Sequence, residues 1–260
     1  MRQFTLKNSI GEVYRLNSLD YFLHDPEGLG FRRNTKYQKI GNNYEILRDG
    51  FEQQPITASI MFKSSKTLSA YRQYSKFREF LQLIPLTLIY RIPGGEYHLD
   101  CIPESVEKTE INSTLGMDIG ITLTPLTMWY REVRDIRSSN FVEIESDSNI
   151  DSPCCITITP AYSSSTVTWT QFVNNERVSD GKLVYTPYFT TSDVIYIRTD
   201  TNPYQIYKIN NGNKIDLYEY SDFSKKRFIT LKKGRNLITS SPGGTSGAMS
   251  LEARIYYETV

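Results

Sequence analysis

The alternation of apolar and polar positions dominates this chain and predicts mostly strands. Phe4-Thr5-Leu6 and Val13-Tyr14-Arg15-Leu16 flank Asn8-Ser9-Ile10-Gly11, whose turn chemistry predicts an opening hairpin. Residues 20–54 carry no clear period: Asp25-Pro26-Glu27-Gly28-Leu29-Gly30-Phe31 marks turns, and a polar stretch rich in Lys, Asn and Tyr follows. Ile56, Ala58, Ile60 and Phe62 then alternate with polar neighbours, as in a half-buried strand. Helical spacing occurs once. Leu68, Tyr71, Tyr74, Phe77, Phe80, Leu81 and Ile84 recur every three or four residues, Ser65 is the expected N-cap and Pro85 the stop, giving a helix over about 66–83. Strands are expected at 86–92 and 96–102 around Pro93-Gly94-Gly95, and at 106–111 and 117–124, the last with Met117, Ile119, Ile121 and Leu123 on one face.

Beyond Pro125-Leu126-Thr127-Met128-Trp129-Tyr130 the chain turns charged, and Ser138-Ser139-Asn140 reads as a loop. This divides it into an N-terminal domain over 1–133 and a C-terminal domain over 134–260. The second half contains no helical pattern. Alternating stretches at 154–159, 166–173, 183–188 and 194–199 precede a hairpin signal, Asn210-Asn211-Gly212-Asn213. Residues 227–231 lead into a Lys232-Lys233-Gly234 turn, and the last strand places Met249, Leu251, Ala253, Ile255 and Tyr257 inward. Many short strands with one apolar face predict an antiparallel β-sandwich. The fold class is therefore all-β: a β-rich domain with one helix, then a sandwich.

Composition supports this. Of 260 residues, 13% are aromatic, with 19 Tyr and 12 Phe, residues that suit a pleated, half-buried surface. A net charge of +1 argues against sequence-independent DNA binding, which needs a basic excess. No apolar run is long enough to span a bilayer, and the first residues alternate without a secretory core. Three Cys make no disulfide framework, so reduced thiols in a cytoplasm are expected.

Reactive constellations are scarce. There are two histidines, His24 and His98. Gly244-Thr245-Ser246-Gly247 lacks the second Gly of a nucleophile elbow and precedes a strand, so it reads as a surface loop. His98, Asp100 and Cys101 are close, but alternation puts Cys101 on the other face. Asp147, Asn149 and Asp151 offer oxygens to Ca²⁺ or form a solvated polar turn, the plainer reading. Asn112-Ser113-Thr114 fits the glycosylation pattern but reads as chance coincidence. No catalytic residue, metal site or cofactor is expected. Aromatic residues are in excess of one sandwich core: Tyr162, Trp169, Tyr185, Tyr188, Tyr196, Tyr204, Tyr207, Tyr218 and Tyr220. Such rings stack on sugars or anchor protein contacts, and Trp169, Tyr185 and Tyr188 are the chosen candidates.

The order of these elements resembles the distal tail proteins of long-tailed phages that infect Gram-positive bacteria. The resemblance rests on the opening hairpin, Gly28-Leu29-Gly30, the helix, the 86–102 hairpin, Val106-Glu107-Lys108-Thr109-Glu110-Ile111, and Pro125-Leu126-Thr127-Met128-Trp129-Tyr130. In the second half, Phe228-Ile229-Thr230-Leu231-Lys232-Lys233-Gly234-Arg235-Asn236 is similar to the family's Leu-Lys-x-Gly-x-Asn turn. The resemblance implies a homohexameric ring at the virion tail tip, built by the N-terminal domain. That ring would join the tail-tube protein to tail-associated lysin or fibre proteins and pass the viral DNA without gripping it. A galectin-like C-terminal sandwich would project outward, in some relatives holding receptor-binding proteins. Rings close through heterologous contacts; the opening hairpin and the 20–54 stretch, too long to be an idle loop in a compact domain, are the expected contact elements, with Phe4, Leu6, Tyr14, Leu16, Leu29 and Phe31 as the contact residues. The alternative is an adsorption protein whose sandwich binds host-surface carbohydrate.

Overall fold

The computed structural model describes residues 2–63, 69–110, 116–241 and 247–260. Its elements fall into two units, Met1–Tyr130 with Tyr257–Val260, and Arg131–Tyr256. The change of unit thus comes a few residues before 133/134, and the last four residues pack with the first unit.

The first unit contains β1 (Gln3–Lys7), β2 (Val13–Arg15), β3 (Tyr21–Glu27), β4 (Phe31–Arg33), β5 (Lys36–Ile40), β6 (Asn43–Arg48), β7 (Phe51–Gln53) and β8 (Ile56–Lys63). Then come α1 (Ala70–Leu81), β9 (Leu86–Ile92), β10 (Gly95–Glu110), β11 (Gly116–Pro125) and the start of β12 (Trp129–Arg137). Antiparallel pairing runs β2-β1-β9-β10-β11-β8-β3. The strands expected at 96–102 and 106–111 are one strand, β10. A bulge between Pro103 and Ser105 interrupts its pairing with β11, at a residue that has no N–H to give the ladder.

Alternate residues of β8 (Ile56, Ala58, Ile60, Phe62) and β11 (Met117, Ile119, Ile121, Leu123) are buried, as their period requires. Each large side chain among them contributes about 1.5–3 kcal/mol relative to exposure. Helix α1 lays Phe77, Phe80 and Leu81 on this core, where Phe62, Phe77, Phe80 and Tyr14 form a ring cluster. It starts later than the spacing suggests. Ser69 is the N-cap, its hydroxyl accepting from the Arg72 N–H at 3.3 Å; Ser65 and Leu68 lie outside the described residues. The apolar stripe is also narrower than expected, because Tyr71 and Ile84 are exposed.

The second unit is a two-layer sandwich. One sheet orders β19-β18-β17-β14-β22-β12, from β14 (Ser152–Thr159), β17 (Val194–Arg198), β18 (Gln205–Asn210), β19 (Asn213–Asp216), β22 (Ala248–Tyr257) and β12. The other orders β13-β21-β15-β16, from β13 (Phe141–Ser146), β15 (Ser164–Val173), β16 (Glu176–Phe189) and β21 (Gly234–Ser241). Short β20 (Thr230–Leu231) pairs with the start of β14. The β18–β19 turn is Asn211-Gly212, both with positive φ, as a tight hairpin of this length demands. In β22, Met249, Leu251 and Ile255 point inward as expected, whereas Ala253 is half-buried and Tyr257 packs edge-on against Tyr97 of the first unit.

Buried polar groups fix the sandwich. Asn236 is fully buried; its amide donates to the carbonyls of Lys232 (2.7 Å) and Gly234 (2.9 Å), and its oxygen accepts from the Lys232 N–H (3.0 Å). Gln171 donates to that oxygen and to the Thr230 carbonyl, and accepts from the Ser179 hydroxyl. The Leu-Lys-x-Gly-x-Asn stretch is therefore a turn closed by its own asparagine, with Leu231 in the core and Gly234 at φ 101. A Cβ at Gly234 would sit 2.4 Å from Asn174. Asp193 and Lys208 form a second buried pair at 3.2 Å. Burial opposes the Asp193 charge, but the Thr190 N–H, Asn210 and Lys208 outweigh it and hold the carboxyl below its usual range.

Candidate functional site

The stretch without a clear period, residues 20–54, contains β3, which pairs with β8, and then two successive antiparallel ribbons, β4 with β7 and β5 with β6. The expectation of an irregular stretch is corrected. A two-residue turn at Gly41-Asn42, with Gly41 at φ 62, closes the tip. Both faces of the outer ribbon lie in solvent, so burial imposes no alternation on its sequence.

The base of this arm is pinned. Gln53 is buried and donates to the carbonyls of Gly28 (3.0 Å) and Gly30 (2.8 Å). Trp129 Nε1 donates to the Leu29 carbonyl at 3.2 Å. Gly28 has φ 78, and a Cβ there would lie 2.1 Å from the Pro55 carbonyl oxygen, so this position requires glycine. Further out, Arg33 grips Asp49 through both carboxylate oxygens and holds that carboxyl down at about 2; Phe31 and Phe51 pack edge to face at 4.7 Å.

Beyond the base the arm displays apolar side chains. Phe31, Tyr37, Ile40, Tyr44, Ile46, Leu47 and Phe51 are all exposed. Register pairs Tyr37 with Ile46 and Lys39 with Tyr44, so Tyr37, Ile46 and Tyr44 share one face of the outer ribbon. Isolated exposed hydrophobes are ordinary, but a run of them on one projecting element marks an interaction surface.

The residues expected at a subunit contact are distributed otherwise. Phe4, Leu6 and Leu16 are buried in their own chain, Phe4 stacked on Tyr90 at 4.6 Å. Strand β1 pairs with β9 along one edge, and Phe4, Leu6 and Leu16 are part of the core cluster of their own chain. Tyr14 is half-buried against α1, Leu29 half-buried at the arm base, and Phe31 exposed. The arm lies in the 20–54 stretch expected as a contact element, but Tyr37, Ile46 and Phe51 within it are not singled out by the sequence.

Two of the three saccharide candidates are likewise corrected. Trp169 is 1% exposed, donates to the Arg227 carbonyl at 3.0 Å and lies against Gly181. Tyr185 is buried beside Phe189, Tyr220 and Lys208. Parity explains both: Trp169 alternates in step with Val167 and Val173, and Tyr185 with Leu183. Tyr188 is exposed.

Among the described residues no group of three His, Cys, Asp or Glu is placed to hold a metal ion. Lys232 pairs with Asp151 at 2.5 Å and Lys233 donates to Asn149 at 2.8 Å, so lysines meet the oxygens considered for Ca²⁺. Cys101 and Cys154 are buried thiols, and burial pushes each up to about 12; Cys155 rises to about 11 for the same reason. Ser246 and Asn112-Ser113-Thr114 lie outside the described residues. No helix among the described residues is long and apolar enough to cross a membrane.

The chain is nearly all β, with a pinned arm whose outer ribbon exposes apolar side chains. Residues 3–126 match the family model of the distal tail protein, N-terminal domain. The fold also matches solved chains across nearly its whole length. One is from the phage P2 baseplate in its activated conformation with Ca (TM-score 0.59, 15% identity, 100% of both chains). Another is the SPP1 Dit protein, described as a hub of the adsorption apparatus in phages infecting Gram-positive bacteria (TM-score 0.67, 11% identity, 96% of this chain and 98% of that one). A search of curated proteins gave no match. Residues 3–126 are thus an N-terminal domain of the distal tail protein type, a domain of virion tail-tip proteins.

Proposed function

We propose that six copies close into a ring through the arms, each laying the Tyr37–Ile46–Tyr44 face on its neighbour. The ring joins the tail-tube protein to the tail-associated lysin or fibre proteins and, through the second unit, to receptor-binding proteins. Viral DNA passes through the opening without being bound, in keeping with a net charge of +1. No catalytic step belongs to this role.

The observation that carries this reading is the arm itself. A ribbon with its apolar residues in water and its base fixed by Gln53 and Trp129 gains from a second surface that covers it. An arm laid on a different surface of its neighbour makes a heterologous contact, the kind that closes rings. Light scattering on the purified full chain tests it: the expected mass is six times the 30.1 kDa chain. A monomer at tens of micromolar would refute it.

A further inference from the structure

His24 stands where the arm leaves the sheet of the first unit. It lies on β3 opposite Ser59 of β8, while Glu27 lies opposite Thr57, so β3 takes three steps where β8 takes two. The extra residue makes a bulge. Asp25 sits in it at φ 48, a left-handed conformation that Asp tolerates better than most residues. Shortly after, Gly28 begins the base of the arm that Gln53 pins.

Both nitrogens of the His24 ring face carboxylates. Nδ1 lies 2.8 Å from Asp25, and Nε2 lies 3.2 Å from Asp118 of β11. An ionised carboxylate only accepts, so each contact needs an N–H on its own side of the ring. A neutral imidazole has one N–H and one lone pair; only the imidazolium has two N–H groups. The arrangement is complete with the proton on and one bond short with it off. Asp25 is the partner released. Its side chain is 87% exposed against 26% for Asp118, so water takes the place of His24 more readily there.

The other charges nearby stand further off. The row across the sheet runs from His24 through Ser59 and Gly120 to Glu107 of β10. Lys63 of β8 holds its ammonium 4.9 Å above the Phe22 ring, and Asp20 and Glu27 lie at the two ends of β3. On the other edge of β3, Asn17 bridges Phe22, and Arg15 of β2 beyond it is exposed. Burial opposes the charged ring, but hydrogen bonds and charge from Asp25 and Asp118 outweigh it and raise the His24 pKa above 6.5. Both contacts are therefore made below pH 6.5, and one is lost as pH rises through the folded value.

We infer that His24 is a proton-operated clamp on the root of the arm: charged, it ties the Asp25 bulge to β11; neutral, it lets Asp25 go and loosens residues 24–28. An arm with a loosened root loses more freedom on docking, so self-association weakens as the proton leaves. That last step rests on the arm being the contact between copies; the clamp itself does not.

Hydrogen-exchange mass spectrometry on the full chain tests this, with labelling at about pH 6 and pH 8.5 and the intrinsic pH dependence of exchange divided out. A peptide spanning 22–30 should exchange about threefold faster at the higher pH, while one spanning β14 should not change. His24→Gln should give one level of protection at both pH values. Asp25→Asn, which also tolerates the left-handed conformation, should keep the bulge and lose the pH dependence. Equal protection at both pH values in the natural chain, or a change that persists in both variants, would overturn the clamp. Sedimentation of the same samples separates this outcome from that of the ring. No ring at either pH, with protection still changing, would sink the ring and leave the clamp. A pH-dependent mass that survives His24→Gln would overturn the control of assembly by His24.

Discussion

The arm and the sandwich are both antiparallel β-structure, and both contain apolar residues, yet they place them oppositely. In the sandwich, Trp169, Ile156, Leu231 and Leu251 are sealed between two sheets, and even Asn236 and Lys208 have their polar groups satisfied inside. In the arm, Tyr37, Ile46 and Phe51 face water while the polar Gln53 is buried at the base. Burial that is complete within one chain contributes to folding. Apolar surface left outside contributes only when another surface arrives. The sandwich should therefore answer to stability measurements and the arm to assembly measurements.

Replacing residues 31–51 by a short glycine linker is expected to have the largest effect, complete loss of the ring with the first unit still folded. Analytical ultracentrifugation and circular dichroism read the two results separately. Asp193→Ala strands the Lys208 ammonium in the sandwich and should lower stability by about 3–5 kcal/mol, seen in urea unfolding. Asn236→Ala frees the Lys232 N–H and two turn carbonyls and should cost about 2–3 kcal/mol in the same assay. Tyr37→Ser with Ile46→Ser should alter folding by no more than about 0.5 kcal/mol each while weakening self-association, measured by dilution. A stability loss without an association loss would erase the contrast.

The smallest effect concerns His24 in β3, whose ring lies 2.8 Å from Asp25 and 3.2 Å from Asp118. Burial alone lowers its pKa, but hydrogen bonds and charge from both carboxylates outweigh that and raise it above 6.5. The pair's contribution is therefore full below pH 6.5 and lost as pH rises through the folded value. The site is partly exposed, so the change should stay below about 1 kcal/mol. Urea midpoints at acid and alkaline pH, compared with His24→Gln, should show it, and His24→Gln should flatten the difference.

The same contrast explains what the sequence made legible. Strands with one face on a core, such as β8, β11 and β14, advertise it through period two, and their inward residues are as read. The ribbons of the arm leave no period because neither face of the outer one is buried; the length of the 20–54 stretch and Gly28-Leu29-Gly30 are its legible signals. The burial of Phe4, Leu6 and Leu16 is not legible locally, because the pairing of β1 with β9 joins segments about 85 residues apart. For Trp169 and Tyr185 strand parity is the stronger signal: each alternates in step with buried neighbours. The carboxylates around His24 needed tertiary structure, since Asp118 lies 94 residues further along the chain.

The central claim, that exposed arms join copies into a closed ring, is tested most directly by electron-microscope class averages of the intact chain beside the arm-replaced one. Sixfold particles with an open centre in the first sample and none in the second are the expected result. Lone particles in both, or rings that persist without the arm, would contradict it.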